Sequence, residues 1–397
     1  MKMVHIEDFV HPDTGYQLNI LAKYFVKFGH EVTIITAEMN IFPDYLVSFF
    51  GRDNIEERDK RYMTSTGVKI IRIPAYCYYS GRAIFHSVPL MRAIKAEKPE
   101  VIFVHGEDTN TGMWAIRHRK AFDAPLIFDD HMDEMASKNR LRNLFRWYYR
   151  HFVTPTIIRE GYTVIRTMNN DYVEKCLGIP LAQAPWISLG SDTMLFHPDE
   201  EARKAFREQY GISSDAFVIL FAGKMDESKG GQLLADLVAR KIDTDREIVY
   251  LIIGQTVGQY GEKVEATMAQ SPYRVLRFPT QKYVDLAGFY QAADLALMPK
   301  QCSLSFYDFN AAGVPVLAED NGINVQRSCF GNAWTFSADS LDSFQGELEN
   351  IVNLPESELS KAKKAAVAFI RKEYDYEDKC REYEQLILRE YNKAHKQ

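Results

Sequence analysis

Near its centre the chain reads Phe217-Val218-Ile219-Leu220-Phe221-Ala222-Gly223-Lys224-Met225-Asp226-Glu227-Ser228-Lys229-Gly230-Gly231. The apolar run predicts a β-strand, and the Lys-Gly pair after the Gly-Lys turn predicts the start of a helix. Glycines let a ligand approach the backbone, and a helix start offers unpaired N–H groups at a positive dipole end. With the charges of Lys224 and Lys229, the pattern favours a phosphate site. A solvated surface turn is the alternative, because the spacing fits neither a Walker loop nor a Gly-x-Gly-x-x-Gly turn.

Similar short apolar runs alternate with helical stretches along the whole chain, which predicts an α/β fold with parallel sheets covered by helices on both faces. The runs are 32–36, 70–73, 101–104, 126–128, 163–165, 218–221, 248–253, 275–278, 295–298 and 314–317. Turn residues interrupt this pattern around 187–199, and a helical stretch follows at 200–210. We therefore predict two Rossmann-like, doubly wound domains, 1–190 and 191–375, facing each other across a cleft. The charged stretch from about 361 to 395 predicts one long helix, of which 376–397 crosses back to the first domain.

Length and composition exclude several classes of protein. A chain of 397 residues suits two domains, and 46% hydrophobic with 26% charged residues is ordinary for a globular protein. The net charge of −6 argues against nucleic acid as a partner. Scattered cysteines, without a Cys-x-x-Cys pair, indicate neither disulfides nor zinc. No apolar run reaches the roughly 18 residues of a membrane span, and the N-terminus lacks a signal-peptide pattern, so we expect a cytoplasmic location.

Further segments follow one another in a recognisable order. They are 11–17, 21–36, 99–106, 124–131, 251–254, 275–278, 289–299 and 303–316. With the Gly223-Lys224…Lys229-Gly230 pattern, they resemble the retaining, nucleotide-sugar-dependent glycosyltransferases of the GT-B fold, specifically family 4 (glycosyl transferases group 1). The resemblance covers nearly the whole chain.

The resemblance assigns the diphosphate of the donor to the stretch quoted first. Lys224 and Lys229 would grip the diphosphate, while Gly223 and Gly230 would let it approach the backbone. Lys224 stands where the family usually has arginine, which keeps a point charge but loses bidentate geometry.

Other donor contacts follow from the remaining segments. Gly15 would bring the first loop close to the donor pyrophosphate and the acceptor, and His131 would line the donor sugar. Gly254 would turn the chain beside the nucleotide, and Arg277 would edge the pocket for the base. From the residues alone, His131 is better explained as a polar strand end, the usual role of a lone histidine at that position.

The clearest departure from the family lies before Gly313. Family members carry Glu-x7-Glu there, and counting back places Asp308 at the second glutamate and Lys300 at the first. Asp308 would accept hydrogen bonds from the ribose hydroxyls. Because Lys300 removes the first carboxylate, Ser303 or Ser305 would bind the donor sugar instead.

A cluster of acidic residues surrounds His131. Asp129, Asp130, Asp133 and Glu134 together have the composition of a site for a divalent ion. Since the order of elements favours the fold that works without a metal, we interpret them mostly as a polar rim. We expect no metal and no cofactor, and activity that a chelator does not affect.

The resemblance implies a metal-independent transferase that moves a sugar from a nucleoside-diphosphate sugar to a hydroxyl of a glycan or lipid-linked acceptor, in the assembly of bacterial surface glycans. Two alternatives stay open. A sugar-nucleotide epimerase shares this architecture and would use carboxylates such as Asp129 and Asp130. A non-catalytic, nucleotide-sugar-binding subunit is suggested by Lys300. A nicotinamide dehydrogenase is disfavoured because the Gly-x-Gly-x-x-Gly turn is missing.

The segment 138–152 combines arginines with aromatic and aliphatic residues at helical spacing. Such a basic amphipathic helix is typical of docking on an anionic membrane surface, which would make the protein peripheral on the inner face of the membrane. The alternative is a helix packed on its own domain with its arginines in water.

Overall fold

The computed structural model describes residues 1–47, 50–79, 82–132 and 141–395. The chain divides into two compact units: unit 1 comprises Met1–Leu189 with Glu377–Gln397, and unit 2 comprises Gly190–Tyr376. The sequence prediction placed the boundaries between the two domains after residues 190 and 375.

Unit 1 is built on a parallel sheet. Its strands are β1 (Lys2–Ile6), β2 (Glu31–Ala37), β3 (Lys69–Ile73), β4 (Ala75–Tyr79), β5 (Arg82–Phe85), β6 (Val101–His105), β7 (Leu126–Asp130) and β8 (Val164–Arg166). The sheet order is β3-β2-β1-β6-β7-β8, and β4 and β5 form a separate antiparallel pair. Because the strand order reverses between β1 and β6, the loops after these two strands flank the position where such sheets bind ligands.

The helices of unit 1 cover this sheet. They are α1 (Gln17–Lys27), α2 (Asp44–Val47), α3 (Ile55–Thr66), α4 (Ser87–Glu97), α5 (Asn110–Arg117), α6 (Arg142–Tyr148) and α7 (Thr154–Glu160). A π-helical turn, Tyr149–Val153, connects α6 to α7. All five residues of β6 are buried, as expected for a central parallel strand covered on both faces.

Unit 2 repeats the plan. Its helices are α8 (Glu200–Gln209), α9 (Gly231–Val238), α10 (Gly258–Met268), α11 (Leu286–Gln291), α12 (Ser305–Ala311), α13 (Gly322–Arg327), α14 (Leu341–Val352) and α15 (Glu356–Phe369). Its strands are β9 (Phe217–Ala222), β10 (Ile248–Ile253), β11 (Arg274–Phe278), β12 (Leu295–Met298), β13 (Val316–Glu319) and β14 (Ala333–Phe336). They form one parallel sheet in the order β11-β10-β9-β12-β13-β14, which reverses between β9 and β12.

Side chains that alternate along β9 belong to two different cores of unit 2. Val218 and Leu220 join one cluster, whereas Phe217, Ile219 and Phe221 join the other. Burial on both faces explains why this strand reads as a continuous apolar run in the sequence. The fold prediction of two doubly wound α/β domains is confirmed.

All ten predicted strand runs overlap strands of the structure, and α8 matches the helical stretch at 200–210. The predicted runs leave out β1, β4, β5 and β14. β1 contains a histidine, and β4 is largely exposed, so neither shows the continuous apolar signal. Among the described residues, no helix is long and apolar enough to cross a membrane.

The prediction of one long helix at 361–395 is wrong. Helix α15 ends at Phe369 and is followed by the π-helical turn Ile370–Tyr374, and a new helix, α16 (Tyr376–Ala394), begins after Asp375. Asp375 is extended because it pairs with Ser191 as an isolated bridge. In unit 1, α16 contacts α1, since Tyr383 Oη accepts a hydrogen bond from Gln17 Nε2 at 2.8 Å.

Candidate functional site

The first part of the candidate site is the turn after β9. Asp226 begins a short 3₁₀ turn, Glu227–Lys229, and its Oδ1 accepts a hydrogen bond from the backbone N–H of Lys229 at 3.0 Å. Gly230 then adopts a left-handed conformation with φ +71° and precedes α9. A Cβ atom placed on Gly230 would lie 3.0 Å from Lys300 Cβ. This turn therefore touches the loop after β12. The two loops that flank the strand-order reversal of unit 2 are therefore in contact.

A contact between two glycines brings the loop after β10 close to the turn after β9. Gly254, directly after β10, has φ +135°, and a Cβ there would lie 1.8 Å from the carbonyl oxygen of Gly223. No other residue fits this position without moving the backbone. The structure thus brings Gly223, Gly230 and Gly254 to the carboxyl edge of the sheet, together with Lys224 and Lys229.

Three cations converge on this edge. Lys229 Nζ donates a hydrogen bond to Cys302 O at 3.1 Å, and Arg327 Nη1 donates to Ser303 O at 3.1 Å. Lys224 completes the group in the turn after β9, close enough for its charge to act on Lys229. Arg327 is additionally placed by the ring of Tyr307, whose centroid lies 4.5 Å from its guanidinium carbon.

The pKa values of both lysines respond to this crowding. Burial lowers the pKa of Lys224, and Asp226 partly offsets the effect. Burial also lowers the pKa of Lys229; Cys302 and Asp226 partly offset this effect, and the smaller effects of Lys224 and Arg327 lower the pKa further. A bound anion would relieve the repulsion between these cations.

Arg277 lies at the same edge, at the end of β11. Its Nη2 pairs with Glu265 Oε1 at 2.6 Å and donates to Gly254 O at 3.2 Å, and its Nη1 donates to Ile252 O at 2.9 Å. The guanidinium therefore fixes the Gly254 turn. Its predicted contact with a base stays a prediction.

The predicted ribose and sugar contacts lie around α12. Asp308 is buried, and its Oδ1 accepts hydrogen bonds from Ser191 Oγ at 2.7 Å and Tyr283 Oη at 3.4 Å. Burial raises the pKa of Asp308 to about 7. Ser305 Oγ donates to Ser303 Oγ at 3.0 Å. Asp308 is thus integrated into unit 2, and its contact with a ribose stays a prediction, as do those of the two serines with a sugar.

Lys300 forms a surface ion pair. Its Nζ lies 2.7 Å from Asp339 Oδ1, and the Asp339 side chain is 73% exposed. The next residue, Gln301, has φ +62°, which is unusual for a residue other than glycine. The cation that replaces the family glutamate is thus held at the surface, beside the Gly230 turn.

In unit 1, carboxylates dominate the corresponding sheet edge. Glu107 follows β6 and is completely buried, and neither of its carboxylate oxygens has a hydrogen-bond partner among the described residues. One oxygen each of Glu107, Asp108 and Asp130 lie within 4.8 Å of one another, a spacing that also suits a divalent cation. Burial and the charge of Asp130 raise the pKa of Glu107, and burial raises the pKa of Asp130 to about 7. Burial of these neighbouring carboxyl groups therefore disfavours their charged forms.

The interpretation of Asp129 and Asp130 as a polar rim is wrong. Both side chains are buried at the end of β7, with exposed fractions of 0% and 2%. As the last residues of a central strand, they point into the protein rather than lining its surface. Asp133 and Glu134 lie outside the described residues.

His131 is held by two neighbours within unit 1. Its Nε2 lies 3.1 Å from Asp129 Oδ2, and its Nδ1 lies 3.4 Å from Thr167 Oγ1. The ring remains one-third exposed. Gly15 is half-buried and lies two residues before the start of α1. Its predicted contact with a donor stays a prediction.

The segment 138–152 is described from residue 141 onward; residues 138–140 lie outside the described residues. Tyr149 is buried, and its Oη donates to Glu107 O at 3.1 Å, so one face of the segment packs on unit 1. The opposite face exposes large apolar side chains. They are Leu141, Leu144, Trp147 and Phe152, each with more than half of its surface accessible.

Sequence reasoning missed several of these residues. Arg327, Thr167 and Glu107 contribute to the two edges without belonging to a recognised motif. A basic residue ending a short helix after β13 was the only signal for Arg327, and it points to no particular chemistry.

Comparisons with known proteins agree with the fold. The profile of Glycosyltransferase Family 4 matches residues 16–165, and the profile of Glycosyl transferases group 1 matches residues 202–366. A glycosyltransferase from Rickettsia africae superposes with a TM-score of 0.74 over 98% of both chains at 13% identity. The Anabaena protein HepE, crystallised with UDP and glucose, superposes with a TM-score of 0.71 over 98% of this chain and 99% of that one at 13% identity.

Among curated proteins, D-inositol 3-phosphate glycosyltransferase 1 of Catenulispora acidiphila is 28% identical over 141 residues. The match covers 32% of this chain and 33% of that protein, so the chain spans about a third of the length of the curated relatives it matches.

Two Rossmann-like units with these structural neighbours define the GT-B class. With profiles matched in both units, the chain belongs to the family 4 glycosyltransferases of the glycosyl transferases group 1 type.

Proposed function

We propose that this protein transfers a sugar from a nucleoside-diphosphate sugar to a hydroxyl acceptor, with retention of the anomeric configuration and without a metal ion. The observation that carries the proposal is the convergence of Lys224, Lys229 and Arg327 on the glycine-lined edge of unit 2. Such an arrangement suits a diphosphate, because three cations and an open backbone meet where the strand order reverses.

In the proposed reaction, the bond between the anomeric carbon and the diphosphate oxygen breaks. The acceptor oxygen bonds to the anomeric carbon on the same face, and its proton passes to a diphosphate oxygen. The protein supplies no nucleophile. Lys224, Lys229 and Arg327 stabilise the negative charge that grows on the leaving diphosphate, as a preorganised electrostatic site.

We assign the donor to unit 2 and the acceptor to unit 1. UDP is the first nucleotide to test, because HepE was crystallised with UDP and glucose. The acceptor in this proposal is a glycan or lipid-linked glycan of the bacterial surface, with the protein on the cytoplasmic side of the membrane.

Release of nucleoside diphosphate tests the proposal. The purified protein is incubated with UDP-, GDP-, ADP- and TDP-sugars and polyprenyl-linked or free glycan acceptors, with and without EDTA. We expect release from one nucleotide family, unchanged by EDTA, and a product whose anomeric proton coupling in NMR matches that of the donor. Release only with added Mn²⁺ would refute metal independence, and an inverted product would refute retention.

The alternatives make different predictions. An epimerase would convert the donor without an acceptor and needs accessible carboxylates, whereas Asp129 and Asp130 are buried. A non-catalytic subunit would bind a nucleotide sugar without releasing diphosphate. Diphosphate release with acceptor, together with NMR of the donor sugar incubated without acceptor, therefore separates all three functions.

We further propose that the surface formed by Leu141, Leu144, Trp147 and Phe152 docks on an anionic membrane. These side chains are exposed, and Arg142 on the same helix is exposed beside them. Aromatic and aliphatic groups next to arginine suit the interface of an anionic bilayer.

Sedimentation with phosphatidylglycerol vesicles at low salt tests this surface. We expect the wild type to sediment and Trp147→Ser to lose most of the bound fraction. Trp186→Ser is the matched control, since Trp186 is also exposed on unit 1, at 42%. Equal sedimentation of both variants, or none of the wild type, would contradict membrane docking.

A further inference from the structure

Three carboxyl groups meet where β6 and β7 end in unit 1. The two strands are neighbours in the sheet, with His105 opposite Asp129, so the residues that follow β6 lie beside Asp130, the last residue of β7. One oxygen each of Glu107, Asp108 and Asp130 lie within 4.8 Å of one another. Glu107 and Asp130 have exposed fractions of 0% and 2%, whereas Asp108 is half-buried. This carboxylate group is thus enclosed by protein and reached from solvent at Asp108.

Most oxygens of the carboxylate group lack donors. Both side-chain oxygens of Glu107 and Oδ2 of Asp130 are buried without a hydrogen-bond partner among the described residues. The other oxygen of Asp130 accepts the backbone N–H of Met132 at 3.1 Å, and Asp108 Oδ2 accepts from Tyr172 Oη at 3.3 Å. Burying a carboxylate without a partner is unfavourable, so these oxygens require a positively charged ligand or a proton.

The backbone around Glu107 holds its side chain in this place. The N–H of Glu107 donates to Asp129 O at 3.3 Å, and its carbonyl oxygen accepts from Tyr149 Oη at 3.1 Å. Gly112 packs against the same carbonyl oxygen, since a Cβ at Gly112 would lie 2.5 Å from it. Gly106 makes the turn before Glu107, with φ +86°. The position of the carboxylate is therefore set by its backbone and not by a partner of its oxygens.

The neighbouring group of His105, Asp129 and His131 differs, because it is satisfied by hydrogen bonds. Asp129 Oδ2 lies 2.7 Å from His105 Nδ1 and 3.1 Å from His131 Nε2. Asp129 Oδ1 accepts the backbone N–H of Gly106 at 3.0 Å. Both oxygens of this buried carboxylate thus have partners at ordinary hydrogen-bond distances. Of the two groups, the carboxylate group is the one that leaves buried oxygens without partners among the described residues.

A proton alone does not satisfy three carboxyl groups. A proton shared between two oxygens joins them at about 2.6 Å and leaves the third group aside. A divalent cation takes oxygens from all three, and ligands on opposite sides of Ca²⁺ lie up to about 5 Å apart. Ca²⁺ also accepts both oxygens of one carboxylate, which suits the two unpartnered oxygens of Glu107. Mg²⁺ suits the site less, because it retains several waters and two of the three ligands are fully enclosed.

We propose that Glu107, Asp108 and Asp130 bind one Ca²⁺ ion, with Glu107 contributing both oxygens. Water at the half-buried Asp108 completes the coordination. The ion joins the loop after β6 to the end of β7 and thereby stabilises unit 1. This site goes beyond the proposed function, in which the cations of unit 2 stabilise the leaving diphosphate and the transfer itself needs no metal ion.

Titration of the full chain with Ca²⁺ tests the site. The purified protein is stripped with EDTA, transferred to metal-free buffer at neutral pH and followed by calorimetry and thermal unfolding. We expect one Ca²⁺ per chain, and an unfolding temperature about 5 °C higher at a hundred times its Kd. Glu107→Gln keeps the shape of the side chain but removes its charge, so binding should weaken about tenfold or more.

Asp8→Asn is the matched control for Glu107→Gln. Asp8 is also buried in unit 1, and its Oδ2 has no hydrogen-bond partner among the described residues, but it lies outside the carboxylate group. This variant should bind Ca²⁺ like the wild type. Asp108→Asn, at the half-buried ligand, is the second test variant if Glu107→Gln does not fold, and the same weakening is expected.

Three results would overturn the proposal. Absence of stoichiometric Ca²⁺ binding by the wild type would mean that the carboxyl groups share protons instead. Equal affinity of the wild type and the folded ligand variants would place the ion elsewhere. Diphosphate release that requires Ca²⁺ well below the unfolding temperature would contradict a purely structural ion. Failure of the proposed function would show differently, as no release with either EDTA or Ca²⁺, whatever the titration gives.

Discussion

The two units share one sheet topology but carry different ionisable groups at their carboxyl edges. In unit 2, Lys224, Lys229 and Arg327 meet at the loops after β9 and β12. In unit 1, Glu107 and Asp130 occupy the corresponding edge, and burial there raises the pKa of both carboxyl groups. The fold therefore fixes where a ligand binds, whereas the residues that follow each strand decide its charge.

The largest expected effect tests the cationic edge. Lys229→Ala should lower turnover at least about a hundredfold, by about 3 kcal/mol of transition-state stabilisation, because a charge facing the leaving diphosphate is lost. Steady-state diphosphate release measures the effect. The control is Lys204→Ala, since Lys204 is exposed on α8 and pairs with Glu208. Equal turnover of the two variants would contradict a catalytic role for the cationic edge of unit 2.

The backbone of the same edge is tested by Gly254→Ala. A methyl group there meets the carbonyl of Gly223, so we expect the free energy of unfolding to fall by about 2 kcal/mol. Urea denaturation measures it. Gly322→Ala is the control, because a methyl group at Gly322 meets nothing within 4 Å. Similar stability of both variants would mean that the Gly223–Gly254 contact is not tight.

Arg327 tests whether the cationic edge of unit 2 includes a residue that no sequence motif predicted. Arg327→Ala should weaken binding of the nucleoside diphosphate about tenfold, or about 1.5 kcal/mol, by removing one charge-assisted contact. Isothermal titration calorimetry with UDP, or whichever diphosphate binds, measures this change. Arg274→Ala is the control, since Arg274 bonds carbonyls at the other end of β11. If both variants bind alike, the cationic group consists of the two lysines alone.

The smallest expected effect concerns a buried carboxyl group within the cationic unit. Since the pKa of Asp308 rises from 3.8 to about 7 on folding, the native state holds its proton more tightly than the unfolded state. Between these two pH values, each rise of one pH unit therefore destabilises the wild type relative to Asp308→Asn by up to about 1.4 kcal/mol. Thermal unfolding at several pH values measures it, with the exposed Asp342→Asn as the control. A stability difference that does not change with pH would show that Asp308 is ionised throughout.

Local patterns in the sequence predicted most of the fold and half of the candidate site. Continuous apolar runs identified the buried parallel strands, and Lys224 and Lys229 lie within one short turn whose chemistry is visible in the sequence. What the sequence could not show depends on contacts between distant segments. Arg327 meets Lys229 only through the loop at 302–303, and Thr167 meets His131 only because β8 pairs with β7. The break at Asp375 likewise depends on its pairing with Ser191.

The most direct test of the central claim is the binding of nucleoside diphosphates to the cationic edge. Thermal unfolding of the wild type and Lys229→Ala is followed with UDP, GDP, ADP and TDP, each with EDTA. We predict that one nucleotide stabilises the wild type, by about 2.7 kcal/mol at a hundred times its Kd, and stabilises Lys229→Ala far less. Stabilisation by none of them, or equal stabilisation of both proteins, would contradict the assignment of the donor to this edge.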